Sequence, residues 1–116
     1  MRTIIAGSRI IDDYHSLEAA IVKCGWTPTV VISGMARGVD YLGIRYATTY
    51  GIPIEKHPAL WDVYGKSAGY QRNAEMADVA EALIVLWDGR SKGTRHMIEL
   101  AGQRLLRIHI EMFNIY

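Results

Sequence analysis

Residues 81–87 read Glu-Ala-Leu-Ile-Val-Leu-Trp, a nearly unbroken apolar run in a chain of 116 residues. A strand with one face in water alternates apolar and polar side chains. A run without alternation suits a strand covered on both faces, as inside a parallel sheet. Shorter apolar stretches at 2–6, 29–33, 52–57 and 106–110 predict four more strands. Helical spacing fills the gaps between them. Tyr14, Leu17, Ile21 and Cys24 share one face, behind Asp12 and Asp13 as N-cap candidates and ahead of Gly25 as C-cap. Val39, Leu42, Gly43, Tyr46 and Tyr50 share the next face, which stops at Gly51. A third helix is predicted over 70–80 with Arg72, Met76 and Val79 on one side. A fourth, over roughly 93–104, turns Met97, Ile98, Ala101 and Leu105 inward. Residues 58–69 predict one long irregular segment, a length that is often functional. The tail from 111 to 116 is apolar enough to pack, with a second subunit as one place for it.

Strand and helix alternating to a fifth strand predict an α/β fold. The expected form is a three-layer α/β/α sandwich with a mainly parallel five-stranded sheet, in one domain over residues 1–116. In such sheets ligands sit beyond the carboxyl ends of the strands, where the strand order reverses. Three loops follow strands directly and so fall on that edge: Gly7-Ser8-Arg9, Ser33-Gly34-Met35-Ala36-Arg37-Gly38-Val39-Asp40 and Asp88-Gly89-Arg90-Ser91-Lys92-Gly93-Thr94-Arg95. Glycines let backbone N–H groups approach a ligand, and a helix start carries partial positive charge. Arg37 adds a planar, permanently charged fork suited to phosphate or carboxylate. The three loops read as one site for a small phosphorylated ligand.

Composition narrows the partners. A formal charge of +1 argues against nucleic-acid binding driven by net charge, so DNA is not the expected ligand. Arginine outnumbers lysine nine to four, and Arg9, Arg37, Arg72, Arg90 and Arg95 fall in or beside loops and helix starts. One cysteine, Cys24, makes no internal disulfide, which fits a reducing cytoplasm. No apolar run approaches the roughly 20 residues of a membrane span, and no signal-peptide pattern opens the chain. The four histidines show no paired spacing and there is no cysteine pair, so neither a metal nor a cofactor is expected.

Two standard phosphate motifs fail. Gly65-Lys66-Ser67 resembles the end of a P-loop, but Leu60 stands where the first glycine belongs. The dinucleotide fingerprint fails too, because the first loop offers only Gly7 and the second has Gly34 and Gly38 without the middle glycine. Ser8 and Ser33 suit hydrogen-bond donation in an anion loop better than nucleophilic attack, because no strained Gly-x-Ser-x-Gly turn is present. Asp40 caps a first turn or bonds a ribose hydroxyl or Arg37. Asp88 makes an Asp-Gly turn, holds a ribose or orients Arg72. Trp61 and Trp87 are candidates to stack on a base. Glu75 and Glu99 are candidate acid–base groups or solvated helix residues.

Taken in order, Gly7-Ser8-Arg9, Ser33-Gly34-x-Ala36-Arg37-Gly38-x-Asp40, Trp61 with Gly65-Lys66-x-Ala68-Gly69, Arg72-Asn73-x-x-Met76 and Trp87-Asp88-Gly89-x-Ser91-x-Gly93-Thr94 with Met97-Ile98-Glu99 resemble the YspA-like branch of the SLOG superfamily. The resemblance runs from residue 3 to about 110. It implies a Rossmann-like domain that binds a nucleotide or nucleotide derivative, such as an ADP-ribose- or NAD-derived signal, for sensing or sequestration. The implied ligand-binding residues are Gly7, Ser8, Arg9, Ser33, Gly34, Ala36, Arg37, Gly38, Asp40, Trp61, Lys66, Arg72, Asn73, Trp87, Asp88, Gly89, Ser91, Gly93, Thr94 and Arg95, and a homo-oligomer is expected. The superfamily includes Lonely-guy phosphoribohydrolases and a DNA-processing protein, which supply two alternatives: N-glycosidic cleavage of a nucleoside 5′-monophosphate, and a DNA-associated or scaffold module. In a hydrolase Arg72 would fix phosphate or ribose, and Glu75 or Glu99 would assist water. Against the Lonely-guy pattern, Arg72-Asn73 keeps only the Arg of an Arg-Lys pair, and Met97 stands where the loop's Glu belongs.

Overall fold

The computed structural model describes residues 1–113. Five strands form one sheet: β1 (Arg2–Gly7), β2 (Val30–Ser33), β3 (Ile54–Lys56), β4 (Ala82–Trp87) and β5 (Arg107–Met112). Their order is β3-β2-β1-β4-β5, and all four pairings are parallel. The apolar run of β4 lies between β1 and β5, and Ala82 to Leu86 are fully buried. Helices α1 (Tyr14–Cys24) and α2 (Val39–Tyr50) cover one face, with Leu17, Ile21, Val39 and Leu42 packed on Ile5, Val31 and Ile84. On the other face, Met76 and Ala77 from one helix and Met97 and Ala101 from another pack on Ile4, Ile32, Leu83 and Val85. These helices are α4 (Ala68–Val79) and α5 (Lys92–Gln103); a single turn, α3 (Trp61–Tyr64), precedes them. The result is the Rossmann-like three-layer α/β/α arrangement, with the sheet wholly parallel.

Local chemistry accounts for the helix ends. Asp13 Oδ1 accepts hydrogen bonds from the His15 and Ser16 N–H groups at 3.2 and 3.4 Å, a cap worth about 1 kcal/mol. Gly25 and Gly51 end α1 and α2 at φ of 89° and 68°, a left-handed conformation that favours glycine.

Several expectations need correction. Residues 58–69 are not irregular: α3, a 3-10 turn at Gly65–Ser67 and the first turn of α4 fill most of them. These turns follow no apolar period, because Ala68 is the one buried side chain in that stretch. Tyr50 and Val79 point outward, each at the solvent end of its helix. Leu105 is 91% exposed, because the chain leaves α5 through a left-handed residue there (φ 58°). The tail is part of the sheet as far as Met112. Glu111 and Met112 extend β5, and Phe113 packs on the α1 side of the core; residues 114–116 lie outside the described region. No helix among the described residues is long and apolar enough to cross a membrane.

Candidate functional site

The strand order reverses between β1 and β4, whose outward connections run to opposite faces of the sheet. The loops beyond them therefore part, leaving a crevice at their carboxyl ends. Three adjoining hollows of about 320, 70 and 150 Å³ open there, and Arg9 and Arg72 line all three. The largest also takes Gly34, Ala36, Arg37 and Trp61 in its wall. The 70 Å³ hollow reaches down to Gly7, Asp40, Asn73, Ser91, Gly93 and Thr94. Lys66 and Trp61 border the third.

Close backbone packing holds the loops in register. The buried Ser8 is the knot: its N–H donates to the Leu86 carbonyl at 3.1 Å, and its Oγ accepts from the Asp88 N–H at 3.1 Å. Its carbonyl accepts from Ile11 N–H at 3.3 Å and Val39 N–H at 3.5 Å. Gly38 (φ 76°) lies so close that a Cβ would come within 2.5 Å of the Ser8 carbonyl oxygen. Ser33 Oγ accepts from the Met35 N–H at 3.1 Å, and Met35 sits in the left-handed region at φ 62°. That conformation is uncommon for a residue with a side chain and is found disproportionately at binding sites.

Arg72 is held rather than free. Its Nη1 donates to the Gly34 carbonyl at 2.5 Å and its Nε to Asn73 Oδ1 at 3.0 Å. Asn73, buried, contacts the Gly93 carbonyl at 3.3 Å and His96 Nδ1 at 3.2 Å through Nδ2, so α4 and α5 jointly aim the guanidinium. Burial keeps His96 below the ordinary histidine range, which favours the neutral ring whose Nδ1 can accept. Arg9 and Arg37 make no salt bridge or side-chain hydrogen bond among the described residues.

Asp40 is the buried carboxylate of the site. Its Oδ2 accepts from the Ala36 N–H at 3.2 Å. Burial raises its pKa to about 6, against the Ala36 N–H and the charges of Arg72 and Arg9, which lower it. Well below pH 4 the carboxyl is protonated in both folded and unfolded chains. From about pH 4 to 6 the unfolded chain releases the proton while the folded chain holds it, so this group makes stability fall as pH rises. The loss approaches about 3 kcal/mol above pH 6. Asp40→Asn is therefore expected to be about 2 kcal/mol more stable than the wild type at pH 7.5 and equal to it near pH 4. Urea unfolding at the two pH values measures this, and a difference that does not change with pH would refute the burial argument.

Not every sequence candidate reaches the hollows. Ser8 and Ser33 are buried and occupied by backbone partners, and Gly38 is enclosed by the β1 loop. Asp88 makes the turn: its Oδ1 accepts from the Arg90 and Ser91 N–H groups at 2.9 Å each. It neither orients Arg72 nor faces the cleft, and Gly89 (φ 80°) belongs to the same turn. Trp87 donates from Nε1 to the Ser91 carbonyl at 3.2 Å and packs on the α4–α5 side, with Arg95 over its ring at 5.6 Å. Glu75 borders a further shallow crevice that shares Arg72 and Pro58 with the largest hollow, and it meets His57 at 3.5 Å; Glu99 lines none of the hollows. Asp40 pairs with Ala36 rather than Arg37. Tyr41 and Pro58 also line the largest hollow, beside Met35 of the second loop, and reading the motifs alone does not find them. Tyr41 was within reach of that reading, since it stands in the same first helical turn as Asp40. Among the described residues no group of three His, Cys, Asp or Glu side chains could hold a metal ion.

Fold and cleft together define a Rossmann-like α/β protein with an arginine-lined crevice at its topological switch point. The chain is 35% identical to the Gene 61 protein of Mycobacterium phage D29 over 109 residues, covering 86% of this chain and 87% of that protein. It belongs to the family of that phage protein. No protein-family model matches the chain, and no solved structure matches it.

Proposed function

We propose that this protein binds a small phosphorylated nucleotide or nucleotide derivative in the crevice, such as an ADP-ribose- or NAD-derived signal, and senses or sequesters it without turning it over. The observation that carries this reading is the trio Arg9, Arg37 and Arg72 on one cleft, none of which forms a salt bridge with a carboxylate of the described residues. Uncompensated guanidinium groups on a concave wall favour an anion, and their forks match phosphate. The half-exposed Trp61 and Tyr41 in the same wall offer flat apolar faces for a base. The resemblance to the SLOG superfamily supports the same choice. The near-neutral chain suits a small ligand better than DNA. The single buried Cys24 suits the cytoplasm. Exposed Leu60, Trp61, Val63 and Tyr64 on and beside α3 suit a homo-oligomer.

A phosphoribohydrolase is the second reading, and one observation favours it: a buried carboxylate with a raised pKa beside arginines is a recurrent acid–base arrangement. It would shift the acid–base role from Glu75 or Glu99 to Asp40. Incubation with nucleoside monophosphates, NAD, ADP-ribose and cyclic ADP-ribose, followed by mass detection of bound and free material, separates the two. A ligand recovered unchanged supports the binder; free base beyond one equivalent establishes the hydrolase. Arg37→Ala is expected to weaken the retained ligand at least tenfold by calorimetry, with an unchanged melting temperature. Equal affinity would remove Arg37 from the site.

A further inference from the structure

Asp40 is 5% exposed and lines the 70 Å³ hollow with Arg72, Asn73, Ser91 and Thr94. Its Oδ2 accepts from the Ala36 N–H; no side chain of the described residues forms a hydrogen bond or salt bridge with the carboxylate. The residue opposite keeps it open. A Cβ on Gly34 would come within 2.9 Å of Asp40 Oδ2 and 2.6 Å of Arg72 Nη1. Glycine there leaves room beside the carboxylate and the guanidinium that any side chain would take up. Asp88, the other aspartate of these loops, is occupied by its own turn.

An ionised carboxylate accepts hydrogen bonds and donates none. It repels phosphate, so an anionic ligand seated on Arg9, Arg37 and Arg72 must turn a donor toward Asp40. The hollow there, about 70 Å³, corresponds to roughly two waters at about 30 Å³ each. As the smallest of the three adjoining hollows it suits the hydroxyl edge of a sugar, while the 320 Å³ hollow beside it has more room for a base. We propose that Asp40 determines sugar specificity by accepting a hydrogen bond from a ribose hydroxyl, so that the site selects ribonucleotides over their deoxy counterparts. The proposal rests on the nucleotide reading above and adds to it the class of sugar.

The test is calorimetry at pH 7.5 with the four common ribonucleoside 5′-diphosphates, their 2′-deoxy and 3′-deoxy forms, and inorganic pyrophosphate. In the wild type, removing one of the two hydroxyls is expected to cost at least tenfold in affinity. In Asp40→Asn the same removal is expected to cost less than threefold, with pyrophosphate binding kept or strengthened. Equal binding of ribo and both deoxy forms by the wild type would overturn the sugar assignment and leave the nucleotide reading standing. Binding of pyrophosphate with no added affinity from any nucleoside would overturn the nucleotide reading itself, and this proposal with it.

Discussion

Arg72→Ala is expected to lower the affinity for a ribonucleoside diphosphate at least a hundredfold while the protein stays folded. Arg72, like Arg9, borders all three hollows, so its loss removes one of the two cations that every part of a bound ligand would meet. Hydrogen bonds to charged groups contribute about 1.5–3 kcal/mol each, and a fork makes two. The fold survives because Arg72 belongs to neither core cluster. It does lose the bond to the Gly34 carbonyl, so a small fall in melting temperature accompanies the binding defect. Arg72→Lys keeps the charge but not the planar bridge between Gly34 and Asn73, and should fall between the two. Titration calorimetry beside thermal melts reads both quantities. Affinity within threefold of the wild type in Arg72→Ala would show that the crevice is not where the ligand sits.

The second large effect concerns the fold beneath the site. Gly7→Ala would place a Cβ 2.1 Å from the Leu86 carbonyl oxygen and 2.7 Å from Val39 Cγ2. Gly7 is paired with Leu86 across the β1–β4 ladder, so the strand cannot retreat without breaking the sheet at its centre. Overpacking of this kind against backbone is expected to cost more than about 3 kcal/mol. For a domain of this size that lowers the melting temperature by about 10 °C or more. Gly93→Ala is the matching control, since a Cβ there meets nothing within 4 Å. It should melt within about 2 °C of the wild type, because surface changes usually stay within 0.5 kcal/mol. Equal melting of the two variants would mean that the loop packing described here is wrong.

The contrast between these glycines marks how far local pattern carries. Gly7 and Gly93 look alike in sequence, each in a small-residue loop after a strand. One is walled in by Leu86 and Val39 and the other is open. The aspartates repeat the lesson. Asp40 and Asp88 were equal candidates for a ribose, yet the first is buried against Ala36 with Arg72 and Arg9 near it, whereas the second closes its own turn. The arginines do so a third time, because Arg37 lines the cleft while Arg95 lies over Trp87.

The sequence by itself determined what depends on neighbours within a few residues. The unalternating run 81–87 required a strand covered on both faces, and β4 is one. Periodicity and capping set α1 and α2 to the residue at Gly25 and Gly51. The alternation of strand and helix placed three glycine-containing loops on one edge, which the parallel sheet confirms. Only the tertiary structure decided which side chains of those loops face one another. Strand order brings the loop after β1 beside the loops after β2 and β4, across 31 to 80 residues of chain between Ser8 and its partners Val39 and Asp88, and no local period encodes that meeting. Turns held by a single buried residue, as Ala68 holds the start of α4, were hidden for the same reason: their stabilising contacts come from elsewhere in the fold.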